Sequence, residues 1–309
     1  MSVENLHSPV AVFAFNRPEK LYSCLQSLEM AHGSEFTSVH VFIDGQRHVQ
    51  EKSTVDDVES IARQEWHFGE IRVTRSPLNL GLATSILQGI DSMFENFETV
   101  IVVEDDLEVA RNFLTFMNDG LLEYVHALQV CSIQGYTYPS LQRESNCFFL
   151  RGADCWGWAT WKDRWFDFQR DSKVLQTRIS ERNLERAFDL DGGYPYMQML
   201  RDNQAGLNDS WAVRWHASNF IDNKLSLYPS HSSVNNTGDD GNGTHAGTSK
   251  GYQINLKNSE LGNFPVLIRE SFSARNKLIK FHVRRNRKYW LSQIKSAIKR
   301  GVAGCKDRW

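Results

Sequence analysis

Val100-Ile101-Val102-Val103-Glu104-Asp105-Asp106-Leu107-Glu108-Val109 is the stretch on which the reading of this chain turns. Four consecutive β-prone apolar residues predict a strand buried on both faces, as in a parallel sheet. Three acidic residues follow where that strand emerges, and open α/β sheets bind ligands outside the carboxyl ends of their strands. Adjacent carboxylates repel one another unless a cation or a set of donors compensates them. Carboxylates with water and phosphate oxygens form the hard-oxygen environment that Mg²⁺ or Mn²⁺ prefers. The competing explanation is an acidic strand-to-helix turn, with Asp105 or Asp106 near the N-terminus of the next helix and Glu108 in its first turn.

Outward from that stretch, strand and helix signals alternate. Val10–Phe15 and Val39–Ile43 predict strands on the amino-terminal side, and Ile71–Thr74 a third. Between them, Leu21, Cys24, Leu25 and Leu28 recur at helical spacing behind Pro18, with Asn16 placed to cap. A polar amphipathic helix is expected from about Val55 to Trp66. Leu82, Ile86, Ile90 and Met93 mark another helix, and Asp44-Gly45 a turn. After the acids, Phe113, Phe116, Met117, Leu121 and Tyr124 predict a helix, and Val130–Ile133 one more strand. Such alternation argues an α/β fold with a mostly parallel central sheet flanked by helices.

Beyond Tyr136 the periodic pattern breaks up. Asp154-Cys155-Trp156-Gly157-Trp158-Ala159-Thr160-Trp161 and Asp209-Ser210-Trp211-Ala212-Val213-Arg214-Trp215 are tryptophan clusters. Indoles at this density build a core or offer flat faces to sugar rings. Ser232–Thr248 reads as a Gly/Asn/Asp/Thr loop. From Arg275 to Arg300 basic residues face almost no acids, while Trp290, Leu291, Ile294, Ala297 and Ile298 share one side at helical spacing. That basic amphipathic tail fits either an anionic membrane surface or a solvated helix docked on the domain.

Bulk properties narrow the classes. The chain has 309 residues, 41% hydrophobic and 23% charged, with a formal net charge of −2. These values suit a globular protein and make no case for nucleic acid. The start, MSVENLHSPV, lacks the basic and apolar regions of a secretory signal, and no apolar run approaches the ~20 residues needed to span a bilayer. The expected location is cytoplasmic, with peripheral contact at the inner face of the membrane. Five cysteines without a CxxC pair predict reduced thiols rather than zinc. Sequons at Asn208, Asn235 and Asn242 then carry no glycan.

Val102-Val103-Glu104-Asp105-Asp106-Leu107-Glu108-Val109-Ala110 closely resembles the EDD form of the DxD motif in GT-A glycosyltransferases of the N-acetylglucosaminyltransferase I type and their bacterial relatives in surface-polysaccharide synthesis. The resemblance is ordered over residues 8–135, patchier from Asp154 to His245, and absent beyond. It implies a Rossmann-like GT-A domain over residues 1–250. The nucleotide-sugar half would span about 8–135 and the acceptor half 136–250, with 251–309 as a carboxy-terminal extension. It also implies sugar transfer, hexosyl or N-acetylhexosaminyl, from a nucleotide sugar, a UDP-sugar in particular. The acceptor would be a hydroxyl of a glycan or lipid-linked glycan, reached with inversion and with Mn²⁺ or Mg²⁺ as cofactor.

The same resemblance distributes roles. Asp106 would bind the metal, Glu104 and Asp105 the donor's hydroxyls, Arg17 the base or phosphate, and Asp44 the uracil edge. Trp158 falls in a Gly-Trp segment that lines the sugar pocket. Asp209 stands where the catalytic base is expected, although the family carries two adjacent acids there and this chain has Asp209-Ser210. Asp154 and Asp202 are the reserve carboxylates, and His245 is a candidate extra metal ligand. Two rival functions remain. A sugar-nucleotide-forming nucleotidyltransferase would need a glycine-rich phosphate loop after the first strand, where this chain has Phe15-Asn16-Arg17-Pro18. A non-enzymatic, membrane-peripheral carbohydrate-binding scaffold would keep the aromatic clusters and the basic tail.

Overall fold

A computed structural model describes residues 7–142, 144–238, 251–256 and 260–286. Strands β1 (Val10–Ala14), β2 (Ser38–Ile43), β3 (Glu70–Arg75) and β4 (Thr99–Glu104) run parallel in the order β3-β2-β1-β4. They are connected by helices α1 (Pro18–Glu29), α2 (Lys52–Ala62) and α3 (Leu82–Met93). After β4 come β5 (Leu107–Val109), α4 (Phe113–Glu123), β6 (Val130–Gln134), β7 (Phe148–Arg151) and β8 (Trp158–Trp161). Helices α5 (Lys162–Phe166), α6 (Ser172–Glu181), α7 (Glu185–Phe188), α8 (Tyr196–Gln204) and α9 (Trp211–Ile221) follow, then β9 (Leu225–Tyr228) and β10 (Val234–Asn236). A last helix, α10, covers residues 272–286.

The central sheet has eight strands in the order β3-β2-β1-β4-β8-β6-β9-β7. Strands β8 and β7 run against the other six. It is therefore a mostly parallel sheet flanked by helices. The apolar alternation of each strand shows which layer it feeds. Val10, Val12, Ile101 and Val103 pack with α1, α2 and α4 on one face. Ala11, Phe13, Val100 and Val102 pack with α3 and the tryptophans on the other. All four residues Val100–Val103 are at most 1% exposed, so β4 is buried on both faces. Each such side chain contributes roughly 1.5–3 kcal/mol, which fixes where the acids emerge. Helices α6 to α9 gather a separate apolar cluster around Phe188, Leu200 and Phe220.

Four local readings are corrected. The acids do not lead into a helix: Leu107–Val109 forms β5, paired antiparallel with β10, and Glu108 faces Asn235 across that pair. Leu107 and Val109 alternate inward as a strand requires. Asn16 is not the cap of α1, since Arg17 occupies that position without a side-chain cap bond and Asn16 Nδ2 donates to Glu51. Helix α2 runs Lys52–Ala62 and stops short of Trp66, whose indole nitrogen donates instead to the carbonyl of Ile61. The region beyond Tyr136, which lacks periodicity in the sequence, supplies three more strands of the sheet besides β10. Their side chains are buried on both faces, so no alternation marks them.

Of the extension, residues 251–256 and 260–286 pack on the sheet domain. Ala274, Leu278 and His282 of α10 are buried, and Ser271 N donates to the carbonyl of Phe149. Arg275 pairs with Asp191 and Lys277 with Glu144. The tail from Arg287 onward and His245 lie outside the described residues. Cys24, Cys131, Cys147 and Cys155 are free thiols. Among the described residues, no helix is long and apolar enough to cross a membrane.

Candidate functional site

The loops after β1, β2, β3 and β4 all open at one edge of the parallel half-sheet, the edge where α/β folds place their ligands. Glu104 ends β4, so its carbonyl and side chain leave the sheet together with Asp105 and Asp106. Asp105 is held closest, with 3% of its side chain exposed. Its amide donates to Phe13 O on β1 (2.9 Å), and Arg17 donates to its carboxylate at 2.5 Å. The same guanidinium reaches Asp106 at 3.1 Å. Arg17 thus spans two of the three acids from the N-cap position of α1.

One guanidinium does not neutralise the cluster. Burial, then the charges of Asp106 and Asp105, push Glu104 up to about 8 against the pull of Arg17. Burial also raises Asp105 to about 7, with Arg17 opposing and Asp106 adding to the rise. The guanidinium itself is raised: burial works against its charge, but Asp105 and Asp106 outweigh it. Among the described residues, Arg17 thus leaves Glu104 and Asp105 with raised pKa values.

A strap closes over Asp106. The β5–β10 pair brings Thr237 so that its amide and hydroxyl both donate to the Asp106 carbonyl, at 2.8 and 2.9 Å. Lys20 of α1 donates to Thr237 O at 2.6 Å. Gly238 lies so close that a Cβ there would come within 2.1 Å of Asp106 Oδ2. Glycine is needed for this approach. The sequence marks Thr237-Gly238 only as part of the loop Asn235–His245, a segment expected to close over the diphosphate, and does not mark Lys20. The bond to Asp106 is illegible there because 131 residues separate Thr237 from its carbonyl partner.

Asp44 ends β2 and is 4% exposed. It accepts from Gly45 N, Asn79 Nδ2, Leu80 N and Gly81 N, all between 2.8 and 3.0 Å. Two donors on each oxygen use all the acceptor directions of a carboxylate. Asp44 here pins the β3–α3 loop to the sheet. Asp209 stands near that loop, its Oδ2 3.9 Å from the position a Cβ on Gly81 would take. It is 69% exposed and 3.9 Å from Arg214, one residue ahead of Ser210, which caps α9. Asp202 lies on α8, bonded by Gln198 within its own helix.

Trp158 is fully buried in β8, stacked among Trp165, Trp211 and Trp215 at 5.6–6.0 Å between ring centres. The structure makes it a core residue with no exposed face. Asp154, in the β7–β8 loop, accepts from Tyr138 Oη at 2.7 Å and from Cys155 N at 2.9 Å. Burial raises its pKa, and both hydrogen bonds oppose the rise.

No family model matches the chain. Among solved structures, TarS residues 1–349 of S. aureus overlaps it at 14% identity with a TM-score of 0.30, over 47% of this chain and 42% of that one. The same protein in complex with UDP-GlcNAc gives 14% identity and 0.31, over 45% and 39%. The chain thus spans less than half the length of these two structures. The mannosyltransferase PcManGT of Pyrobaculum calidifontis, in complex with GDP-Man and Mn²⁺, gives 12% identity and 0.39 over 71% of both chains. Likeness at this level leaves the chemistry to the site's own geometry.

A divalent cation fits that geometry in one form. Among the described residues, no three His, Cys, Asp or Glu side chains converge as a ready-made cage. Yet the acids at the end of β4 offer hard oxygens and unbalanced negative charge. Mg²⁺-type sites in nucleotide enzymes need only one or two carboxylates, with water and phosphate oxygens completing the sphere. Asp106, 15% exposed and the more open of the two acids that Arg17 holds, would supply that carboxylate.

Proposed function

We propose that the protein is a metal-dependent GT-A glycosyltransferase that transfers a sugar from a UDP-sugar to a hydroxyl of a glycan or lipid-linked glycan, with inversion. The observation that carries this reading is the acidic triplet at the mouth of a doubly buried parallel strand, with Arg17 the guanidinium that pairs with two of its acids among the described residues. The order β3-β2-β1-β4 with a small β5–β10 pair beside the acids supports the same reading. Transfer of a hexosyl or N-acetylhexosaminyl unit is included in the proposal.

The residues then divide the work. Asp106 would hold the cation, and Glu104 and Asp105 would accept from donor hydroxyls. Bound there, the cation supplies charge neutralisation for the departing diphosphate. Arg17, already poised over the acids, would turn part of its charge to the diphosphate. Asp209 would take the acceptor proton as the acceptor oxygen bonds to the anomeric carbon and the bond from that carbon to the diphosphate oxygen breaks. Such base catalysis is worth about 10²–10⁴-fold. Asp44 contributes by holding the β3–α3 loop beside the donor. Contact of residues 275–300 with an anionic membrane surface, from the cytoplasmic side, would bring a lipid-linked acceptor to the site.

The test is nucleotide release from a panel of UDP- and GDP-sugars with Mn²⁺. UDP should accumulate from one donor, stop on chelation, and fall to background in Asp106→Asn with folding unchanged. Absence of release together with absence of UDP binding would overturn the reading in favour of a carbohydrate-binding scaffold. Activity surviving in Asp106→Asn would overturn the metal assignment alone.

A further inference from the structure

The strap over Asp106 is built on a firm root. Val234 is fully buried, and its side chain lies so close to Gly135 and Gly157 that a Cβ on either would come within 2.6 or 2.7 Å of it. Ser233 N donates to the carbonyl of Gly135, and Ala110 N to the carbonyl of Ser233, both at 2.8 Å. From that root Val234, Asn235 and Asn236 pair with Val109, Glu108 and Leu107, which carries the chain back to the acids. The extension braces the middle of the strap, since Ile254 N donates to Asn235 Oδ1 at 2.9 Å. Asn236 Oδ1 accepts from Gly238 N at 2.8 Å, an Asx turn that sets the tip.

That tip bears on Asp106 in two places. Thr237 fixes the Asp106 carbonyl through both its amide and its hydroxyl, and Lys20 ties Thr237 O to α1. Gly238 lies against the carboxylate oxygen Oδ2, the same oxygen to which Arg17 donates at 3.1 Å. Asp106 stands between β4 and β5, outside both strands, so no sheet ladder fixes its backbone. A metal ligand has to be held within about 0.5 Å of its working position, and the groups around it supply that precision.

We propose that Thr237 and Gly238 are positioning residues that hold the Asp106 carboxylate where it takes the cation, with Lys20 securing them from α1. This rests on the reading of Asp106 as the metal carboxylate. It adds a second segment, 131 residues away in sequence, on which the metal affinity depends. The Thr237 hydroxyl fixes the main chain of Asp106. The bare backbone at Gly238 leaves Oδ2 its place while walling it on one side.

Titration with Mn²⁺ in the presence of UDP, followed by electron paramagnetic resonance, tests it on the full chain. Thr237→Val removes the hydroxyl donor and keeps the shape, and should weaken Mn²⁺ binding by about 5-fold, the worth of one hydrogen bond. Thr237→Ser returns the donor and should return the affinity. Gly238→Ala drives a methyl group into Oδ2 and should cost about 10- to 100-fold. Gly238 is not in the left-handed backbone region, so alanine there brings no strain of its own. The melting temperature without metal serves as the control for folding. Mn²⁺ bound by either Thr237→Val or Gly238→Ala as tightly as by the wild type overturns the positioning role and leaves Asp106 its metal. A loss in Thr237→Val that Thr237→Ser shares also overturns it, because the hydroxyl is then not the cause. A wild type that binds no Mn²⁺ overturns the metal reading and this proposal together.

Discussion

Replacing Arg17 by methionine removes the one guanidinium seen to compensate the acids while keeping most of its apolar stem. Its side chain is 28% exposed, and its partners Asp105 and Asp106 are 3% and 15% exposed. Removing one partner of a buried pair costs about 3–5 kcal/mol, because an uncompensated charge is left behind. The residual exposure of Arg17 and Asp106 lets water screen part of this, so the lower end, about 3 kcal/mol, is expected. For a chain of this size that corresponds to a fall in melting temperature of roughly 5 °C. The cause is charge, so two rescues should work. Arg17→Met combined with Asp105→Asn should recover a large part of the loss. Mn²⁺ should raise the melting temperature of Arg17→Met more than that of the wild type. Differential scanning calorimetry at fixed ionic strength reads wild type, Arg17→Met, Asp105→Asn and the double variant, and the first two again with Mn²⁺. A variant melting within about 1 °C of wild type, or a cycle in which the two losses simply add, would refute the reasoning.

Other consequences follow from single contacts. Asp44→Asn turns donors toward two of the four groups the carboxylate accepts from, and should cost about 2–3 kcal/mol; hydrogen exchange should show the 78–81 loop opening, and unchanged exchange would contradict the pinning role. Asp209→Asn should cut turnover by about 10²–10⁴-fold while UDP binding survives; loss of binding alone would place the residue on the donor instead. His282 is lowered to about 4 by burial and then by the charge of Arg285, against an ordinary value near 6.5. The unfolded chain then binds the proton first, so stability is complete above about pH 6.5 and is lost as pH falls towards 4, by up to about 1.4 kcal/mol per pH unit. His282→Gln should flatten urea-melt stability over that window, and an unchanged slope would sink the assignment.

How far these features could be read in the sequence depends on the range over which each is determined. Val100–Val103 was legible because burial on both faces writes itself as an unbroken apolar run. Helices α1, α3 and α4 were legible because one buried stripe recurs at their own period. Strands β7, β8 and β9 gave no such signal. Each is only four residues long and carries a polar residue (Arg151, Thr160 or Ser226) that interrupts the apolar run, and the sheet receives them out of chain order. Glu108 illustrates the opposite failure. Next to three acids it looks like a helix start, yet Glu108 and its neighbours Leu107 and Val109 pair with the distant strand Val234–Asn236. In the site, the places of Arg17 after β1 and of the acids after β4 could be read at one mouth, but their ion pairing could not. The saturation of Asp44 could not, since it depends on how the backbone of residues 79–81 folds back on the carboxylate.

The charge balance of the mouth ties these residues to one another. Glu104, Asp105 and Asp106 bring three negative charges when ionised, and Arg17 returns one positive. Two of the acids meet the remaining deficit by holding protons at higher pH than carboxylates ordinarily do. A nucleotide diphosphate would add further negative charge to the same opening. On the proposed reading it would enter with a cation, and a divalent ion on Asp106 would offset the charge of the acids. Binding of donor and of metal should therefore be coupled, each raising the other's affinity by the same factor. Calorimetric titration of UDP with and without Mn²⁺ reads that factor directly, and equal affinities in the two titrations would show that the acids have another purpose.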